Sequence, residues 1–255
     1  MWEDDALSRD AFLGGRVFLH QPKDGYRAGV DPVLLAAAVN AQSGDRVLDL
    51  GCGAGAAMLC LGARVVGLDL HGVEVQHDYA ELARRNAVPL GATIWQADLG
   101  DLPAKLRQLQ FHHVIANPPY FRAQAHLPSP DPGRATAMGE VEGHRPLADW
   151  IATAARRLRP KGYLHMIQRA ERLPDLLAGC DGHLGSVEVL PLAARIGRAP
   201  EHVILRARKD GRAPFRLYAS IVLHDGDRHL RDGDDYTPAI AAVLRDGAAL
   251  DWPSA

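Results

Sequence analysis

The sequence predicts an α/β fold, a doubly wound and mainly parallel sheet with an antiparallel edge. Three observations carry that expectation. Apolar strand-like runs alternate with helical ones from Arg46 to Gln168, the first run opens into a glycine loop, and three more strand-like runs crowd the C-terminal part without full helices between the last two.

Ahead of the alternation, "GVDPVLLAAAVNAQSG" predicts a helix with Asp31 as N-cap, Pro32 at the first helical position and Gly44 beyond its end. In "RVLDLGCGAGAAMLCLGARV" Arg46 to Leu50 reads as a short apolar strand, Gly51 to Gly55 as a loop, and Ala56 to about Val65 as a helix of small and apolar residues. A second strand at about Leu68 to Val75 ends near Glu74. After a helix from about His77 to Ala87, "GATIWQADL" supplies a third strand ending at Asp98. The fourth, His112 to Ala116, runs into "NPPYF". Helix Leu147 to Leu158, a turn at "RPKGY" and strand Tyr163 to Gln168 complete one more unit. Runs at Ser186 to Leu190, His202 to Arg208 and Leu217 to Leu223 predict the antiparallel edge, and "HDGDRHLRDGDDY" a solvated loop before a short helix. Between Arg122 and Pro146 proline and glycine are too dense for regular structure, which predicts a long loop that is mobile or orders substrate.

At 255 residues the chain can bury a core of its own, and we expect one domain: a leading segment 1–45, a core 46–224 and a tail 225–255. With 47% hydrophobic and 24% charged residues, neither disorder nor a fibre is in question. The start, "MWEDDALSRD", is acidic and lacks a signal-peptide core, and no apolar segment nears the roughly 20 residues of a membrane span. A cytoplasmic protein is expected. Cys52, Cys60 and Cys180 are too few and too scattered for a disulfide framework or a four-ligand zinc site, and the twelve histidines show no ligand spacing, so no metal is expected. The net charge of −2 argues against a generally basic nucleic-acid coat. Locally, however, Arg195 to Arg216 holds seven basic residues against two acidic ones.

In open α/β sheets the ligand crevice lies at the carboxyl ends of the strands, and four signals fall there. Gly51, Gly53 and Gly55 let backbone approach a ligand closely ahead of a helix N-terminus. Glu74 suits a ribose diol, and Asp98 can accept from the exocyclic amine of a base. Asn117-Pro118-Pro119-Tyr120 is stiff and rich in acceptors: Asn117 offers a carbonyl oxygen, the prolines have no N–H, and a residue before proline is held extended. Singly each signal is weak, and Gly51, Gly53 and Ala56 also fit a dinucleotide-binding pattern. The ordered set of four is far more specific.

That set resembles the class I S-adenosylmethionine-dependent methyltransferases, and Asn-Pro-Pro-Tyr resembles those acting on planar exocyclic nitrogens: adenine N6, guanine N2 or a glutamine amide. The resemblance implies a Rossmann-like seven-stranded sheet over about residues 25 to 170. It places Gly51, Gly53 and Gly55 under the cofactor's methionine and ribose, Glu74 on the ribose hydroxyls, Asp98 near the adenine, and Asp49 in the same cofactor set. Further, "LGGRVFLHQPKDGYRAGVDPVLLAAAV", "NPPYF" and "RIGRAPEHVILRARKDGR" resemble the bacterial enzymes that methylate N6 of adenine 37, beside the anticodon, in tRNA1(Val). This extends the likeness to about residues 12 to 224. By it, "KDGYRAGVD" folds over the cofactor with Tyr26, Arg27 and Asp31 as contacts. Phe121 and Arg122 line the substrate pocket, Arg195, Arg198, Arg206, Arg208 and Lys209 meet tRNA phosphates, and the loop with Arg122, Arg134 and Arg145 clamps the anticodon loop. No obligate protein partner is implied.

The motif suits such a transfer. An aniline-like nitrogen gives its lone pair to the purine ring, so attack on a sulfonium methyl needs that pair turned out of plane. Asn117 Oδ1 and the Pro118 carbonyl can accept its two N–H bonds while Tyr120 stacks on the base, and these acceptors favour the nitrogen more as it gains positive charge. A base must leave its stack to arrive, at least cost from a loop.

Rival substrates are the glutamine of release factors, guanine N2 of rRNA and DNA adenine. The first family carries an N-terminal helical domain and only about 45 residues precede the glycine loop here; the DNA enzymes carry a separate target-recognition domain that is not visible. From other classes, an NAD-dependent oxidoreductase lacks its Tyr-x-x-x-Lys pairing, and a non-catalytic RNA-binding module would not need Asn117 and Glu74.

Overall fold

A computed structural model describes residues 2–120, 145–228 and 235–253. Its first elements, β1 (Leu7–Phe12) and β2 (Val17–Pro22), form an antiparallel hairpin apart from the main sheet, where the sequence pattern suggests no strand. Charge in "LSRDAF" masks β1, but Val17, Leu19 and Gln21 of β2 turn inward in strand alternation.

The main sheet holds β3 (Arg46–Leu50), β4 (Asp69–Glu74), β5 (Thr93–Gln96), β6 (Phe111–Ala116), β7 (Leu158–Arg169), β8 (Gly185–Ala193) and β9 (Pro200–Arg208) in the order β5-β4-β3-β6-β7-β9-β8. They answer to the seven strands that the resemblance implies, and to the first seven of the eight strand-like runs in the sequence. Two-residue strands, β10 (Arg216–Leu217) and β11 (Ile221–Val222), both run along β8. All pairings are parallel except those of β9, which runs against both β7 and β8. The antiparallel strand therefore lies inside the sheet, with β8 and then the two short strands beyond it.

Helices α1 (Asp31–Ala37), α2 (Ala56–Arg64) and α7 (Pro238–Asp246) pack with Val47, Ile115, Ile167 and Ile204 on one face. The other face, with Leu48, Leu50, Val114, Ala116, Leu164 and Met166, packs with α5 (Leu147–Arg157) and α6 (Leu173–Cys180). Among the described residues the other α-helices are α3 (His77–Ala87) and the single turn α4 (Ala104–Arg107). Burial on both faces is why these strands read as continuous apolar runs, and each such side chain contributes about 1.5–3 kcal/mol.

Local differences from the sequence pattern have physical causes. Val30, not Asp31, occupies the capping position of α1, and no side chain caps it. The "RPKGY" turn is a bulge inside β7: Leu158 pairs with Phe111 and Tyr163 with His113, so four residues of β7 face one of β6, with Lys161 at φ 65°. The run Leu217 to Leu223 is split where the Tyr218 hydroxyl donates to Glu188 Oε1 at 2.6 Å. Helices α4 and α6 are short, and the pattern misses both. The three cysteines are free and buried. Among the described residues no helix is long and apolar enough to cross a membrane.

The chain's two ends meet. Arg16 Nη1, beside the hairpin turn, donates to Asp246 O at 2.8 Å, and Trp252 Nε1 donates to Ala38 O at 2.9 Å.

Candidate active site

The carboxyl ends of β3, β4 and β6 converge on one cleft. Gly51, Gly53 and Gly55 all have positive φ, at 66°, 54° and 94°. They do different things. A Cβ on Gly51 would meet the Trp150 ring at 2.5 Å, whereas one on Gly53 would meet nothing within 4 Å. Gly51 makes room for α5, and Gly53 leaves the cleft open.

Two buried carboxylates back this loop. Glu74 Oε2 accepts from Gly53 N at 3.0 Å and its Oε1 from Gln76 N at 2.8 Å, so it braces the loop it faces. Burial raises its pKa against the pull of those bonds. Asp49, 2% exposed, accepts a long hydrogen bond from Met58 N at 3.2 Å, and burial pushes it up to about 8, with Glu74 adding a like-charge contribution.

A strap from β2 to α1 crosses this end of the sheet. The Tyr79 hydroxyl accepts from Tyr26 N at 2.9 Å and donates to Tyr26 O at 3.2 Å, while Gln21 Oε1 accepts from Ala28 N at 2.7 Å. Burial, then Asp31 and Asp49, push the Tyr26 phenol up to about 12. Arg27 turns outward to Asp10 at 2.8 Å. Asp31 Oδ2 accepts from the Tyr120 hydroxyl at 2.7 Å, which joins the strap to the motif after β6. Burial and Asp31 raise the Tyr120 pKa in turn.

Within the motif, Asn117 Oδ1 is buried and has no hydrogen-bond partner among the described residues. A buried acceptor without a donor is costly, about 1–3 kcal/mol, unless a ligand supplies one. The carbonyls of Pro118 and Pro119 accept from Gln168 Nε2 at 3.4 and 3.2 Å, and that of Tyr120 from Arg172 Nη1 at 3.4 Å. Sequence reasoning missed Gln168, Arg172 and also His202, whose ring centroid lies 5.3 Å from that of Tyr120. The one available signal was a glutamine inside an otherwise apolar strand end.

Asp98 stands at the rim. Its Oδ1 accepts from Arg145 Nε at 2.8 Å and Gly100 N at 2.7 Å, and the Arg145 bond holds its carboxyl below the usual range. Phe121, Arg122 and Arg134, with most of the Arg122 to Pro146 loop, lie outside the described residues.

The basic run is divided between the two ends of the sheet. Since β9 is antiparallel, His202 pairs with Arg169 at the motif end and Arg208 with Tyr163 at the far end, roughly 20 Å away at about 3.3 Å per residue. Arg206 donates to Glu188 Oε2 at 2.7 Å and lies 4.1 Å over the Trp252 ring; Lys209 Nζ donates to Ala155 O and Leu158 O at 2.8 and 2.7 Å, closing α5; Arg208 Nε donates to Lys161 O at 3.3 Å. Near the motif end, Arg195 is tied to Asp235 and Asp225 O, while Arg198 is exposed beside Ile196, itself 75% exposed.

S-adenosylmethionine fits these residues. The cleft is open at Gly53, two buried carboxylates await a cation and hydroxyl donors, and the next strand end carries an acceptor without a donor.

Comparison with known proteins agrees. Residues 28–129 match the family model described as methyltransferase small domain. A tRNA1(Val) (adenine(37)-N6)-methyltransferase of Porphyromonas gingivalis is 32% identical over 180 residues, 67% of this chain and 69% of that one. A protein of the same name from Dickeya chrysanthemi is 26% identical over 94% of this chain and 95% of its own. Among solved structures, a predicted O-methyltransferase from Agrobacterium tumefaciens superposes with a TM-score of 0.69 at 26% identity, covering 86% of this chain and 98% of that one.

Proposed function

The chain belongs to the family of tRNA1(Val) (adenine(37)-N6)-methyltransferases, and from that premise we propose how its own residues carry the reaction and which part of tRNA they meet. It is an S-adenosylmethionine-dependent enzyme that methylates N6 of a tRNA adenine. The observation that carries the assignment of roles is the buried, unpartnered Oδ1 of Asn117.

The cofactor supplies an electrophilic methyl group. Gly53 and Glu74, joined by a hydrogen bond, would hold its ribose side, Asp49 and the Tyr26 strap its methionine side, and Asp98 its base. Asn117 Oδ1 and the Pro118 carbonyl accept the two N–H bonds of the substrate amine, and the Tyr120 ring lies under the base. Both acceptors strengthen as the nitrogen becomes cationic, so they favour the transition state over the ground state, and neither must be a strong base. Asp31 keeps the Tyr120 ring in place through its hydroxyl. The base is adenine 37, flipped from the anticodon loop in the cytoplasm. Labelled methyl transfer to unmodified total tRNA, then nucleoside analysis, tests the reading: N6-methyladenosine at position 37 of a valine tRNA supports it, and label only in a release factor or rRNA overturns the substrate.

Two results follow. Asp49, up at about 8, carries a proton at neutral pH, and a cationic ligand favours its ionised form, so binding releases that proton. Cofactor affinity rises with pH by at most about tenfold per unit below about pH 8 and levels above it. Asp49→Asn removes that rise; titration calorimetry that gives parallel profiles for both proteins would detach Asp49 from the cofactor. For RNA, Arg198→Glu weakens binding and lowers the salt slope by about one, because only the motif end of the basic run faces substrate. Arg208→Gln leaves the slope unchanged. The reverse pattern in filter binding would return the far-end arginines to the RNA surface.

A further inference from the structure

The loop that carries the chemistry cannot hold itself by its own donors. Pro118 and Pro119 bring no N–H, so the loop must be held through its carbonyls. One side chain from the neighbouring strand holds two of them. Gln168, fully buried at the end of β7, donates from Nε2 to Pro119 O at 3.2 Å and more loosely to Pro118 O at 3.4 Å. Its Oε1 accepts from Arg169 N at 2.9 Å, which fixes the amide the right way round. A glutamine buried among Leu164, Met166 and other apolar side chains is there for its hydrogen bonds.

We propose that Gln168 is the positioning residue of the methyl transfer: it sets the place of the Pro118 carbonyl and, through the stiff Asn-Pro-Pro backbone, of Asn117 Oδ1. The inference rests on the methylation reading above. The two N–H bonds of one amide serve two carbonyls and leave each a second lone pair, so Pro118 O remains available to the substrate amine while Pro119 O stays anchored. Without that anchor both acceptors drift, and a displacement near 1 Å costs about a hundredfold in rate.

Two variants test this, with activity normalised to the fraction of protein that binds S-adenosylmethionine. Gln168→Met fills the same space without a donor and lowers kcat by about ten- to a hundredfold, with little change in KM for tRNA. Gln168→Glu turns a carboxylate on two carbonyl oxygens when ionised and one O–H donor when protonated. Its activity relative to wild type therefore climbs as pH falls from about 8.5 to 6.5, since a buried glutamate titrates high. A merely structural role gives no such climb. A wild-type enzyme that methylates tRNA beside a Gln168→Met enzyme of equal kcat, or a Gln168→Glu ratio flat with pH, overturns the assignment. A wild type that transfers nothing to tRNA overturns the parent reading and this one with it.

Discussion

Asn117→Ala lowers methyl transfer by about 10²- to 10³-fold while leaving S-adenosylmethionine binding nearly unchanged. The expectation follows from what Asn117 lacks. Its Oδ1 is buried just past the end of β6 with no donor among the described residues, so in the free protein that atom holds nothing, and what the fold loses with the side chain is the amide's hydrogen bond with Tyr120. The loss falls on the state in which an amine has come to it. Asn117→Asp keeps an acceptor and retains more activity than Asn117→Ala. Single-turnover transfer measured beside calorimetric cofactor binding separates the terms; equal losses in both would remove Asn117 from the amine.

Gly51→Ala lowers stability sharply. The new methyl would sit 2.5 Å from the far edge of the Trp150 ring, at a φ of 66° that side chains rarely adopt. Left-handed strain of about 1–2 kcal/mol and overpacking of about 1–3 kcal/mol act together, and Tm falls by on the order of 10 °C. Trp150→Phe withdraws the ring atoms that clash and also an indole N–H that has no partner among the described residues. Gly51→Ala is therefore milder in the Trp150→Phe background, and the coupling reads out in a double-mutant cycle of melting curves. Additive losses would show that backbone strain alone is at work. Gly53→Ala, facing open space, instead weakens cofactor binding more than it lowers Tm.

Local information was legible where one segment makes its own structure. Arg46 to Gly55 reads as strand and loop because burial on both faces writes a continuous apolar run and the glycines mark the turn. The Asn117 to Tyr120 motif reads as an acceptor loop because its prolines decide its chemistry without help. What escaped is what distant segments do to one another. Asp31 looks like a helix cap by its neighbours, yet its carboxylate serves Tyr120, 89 positions away. Gln168 is silent in sequence because its partners lie 49 and 50 positions back. The basic stretch from Arg195 reads as one surface, but a strand that runs through the sheet carries half of it to the opposite end. The hairpin at the start was hidden by Arg9 and Asp10, which leave its pairing intact while erasing its apolar signature.

The joining of hairpin turn, strap, α1 and C-terminal helix also has a consequence for how the molecule is made. Arg16 reaches a carbonyl 230 positions further on, and Ala38 waits for Trp252. Contacts of such separation close last, because the loop entropy they cost must be met by structure already formed. During synthesis the sheet can assemble strand by strand, but the strap that brings Tyr26 and Asp31 to the cleft has its foundation completed only once α7 and Trp252 have left the ribosome. A nascent chain is thus a folded sheet before it is a methyltransferase.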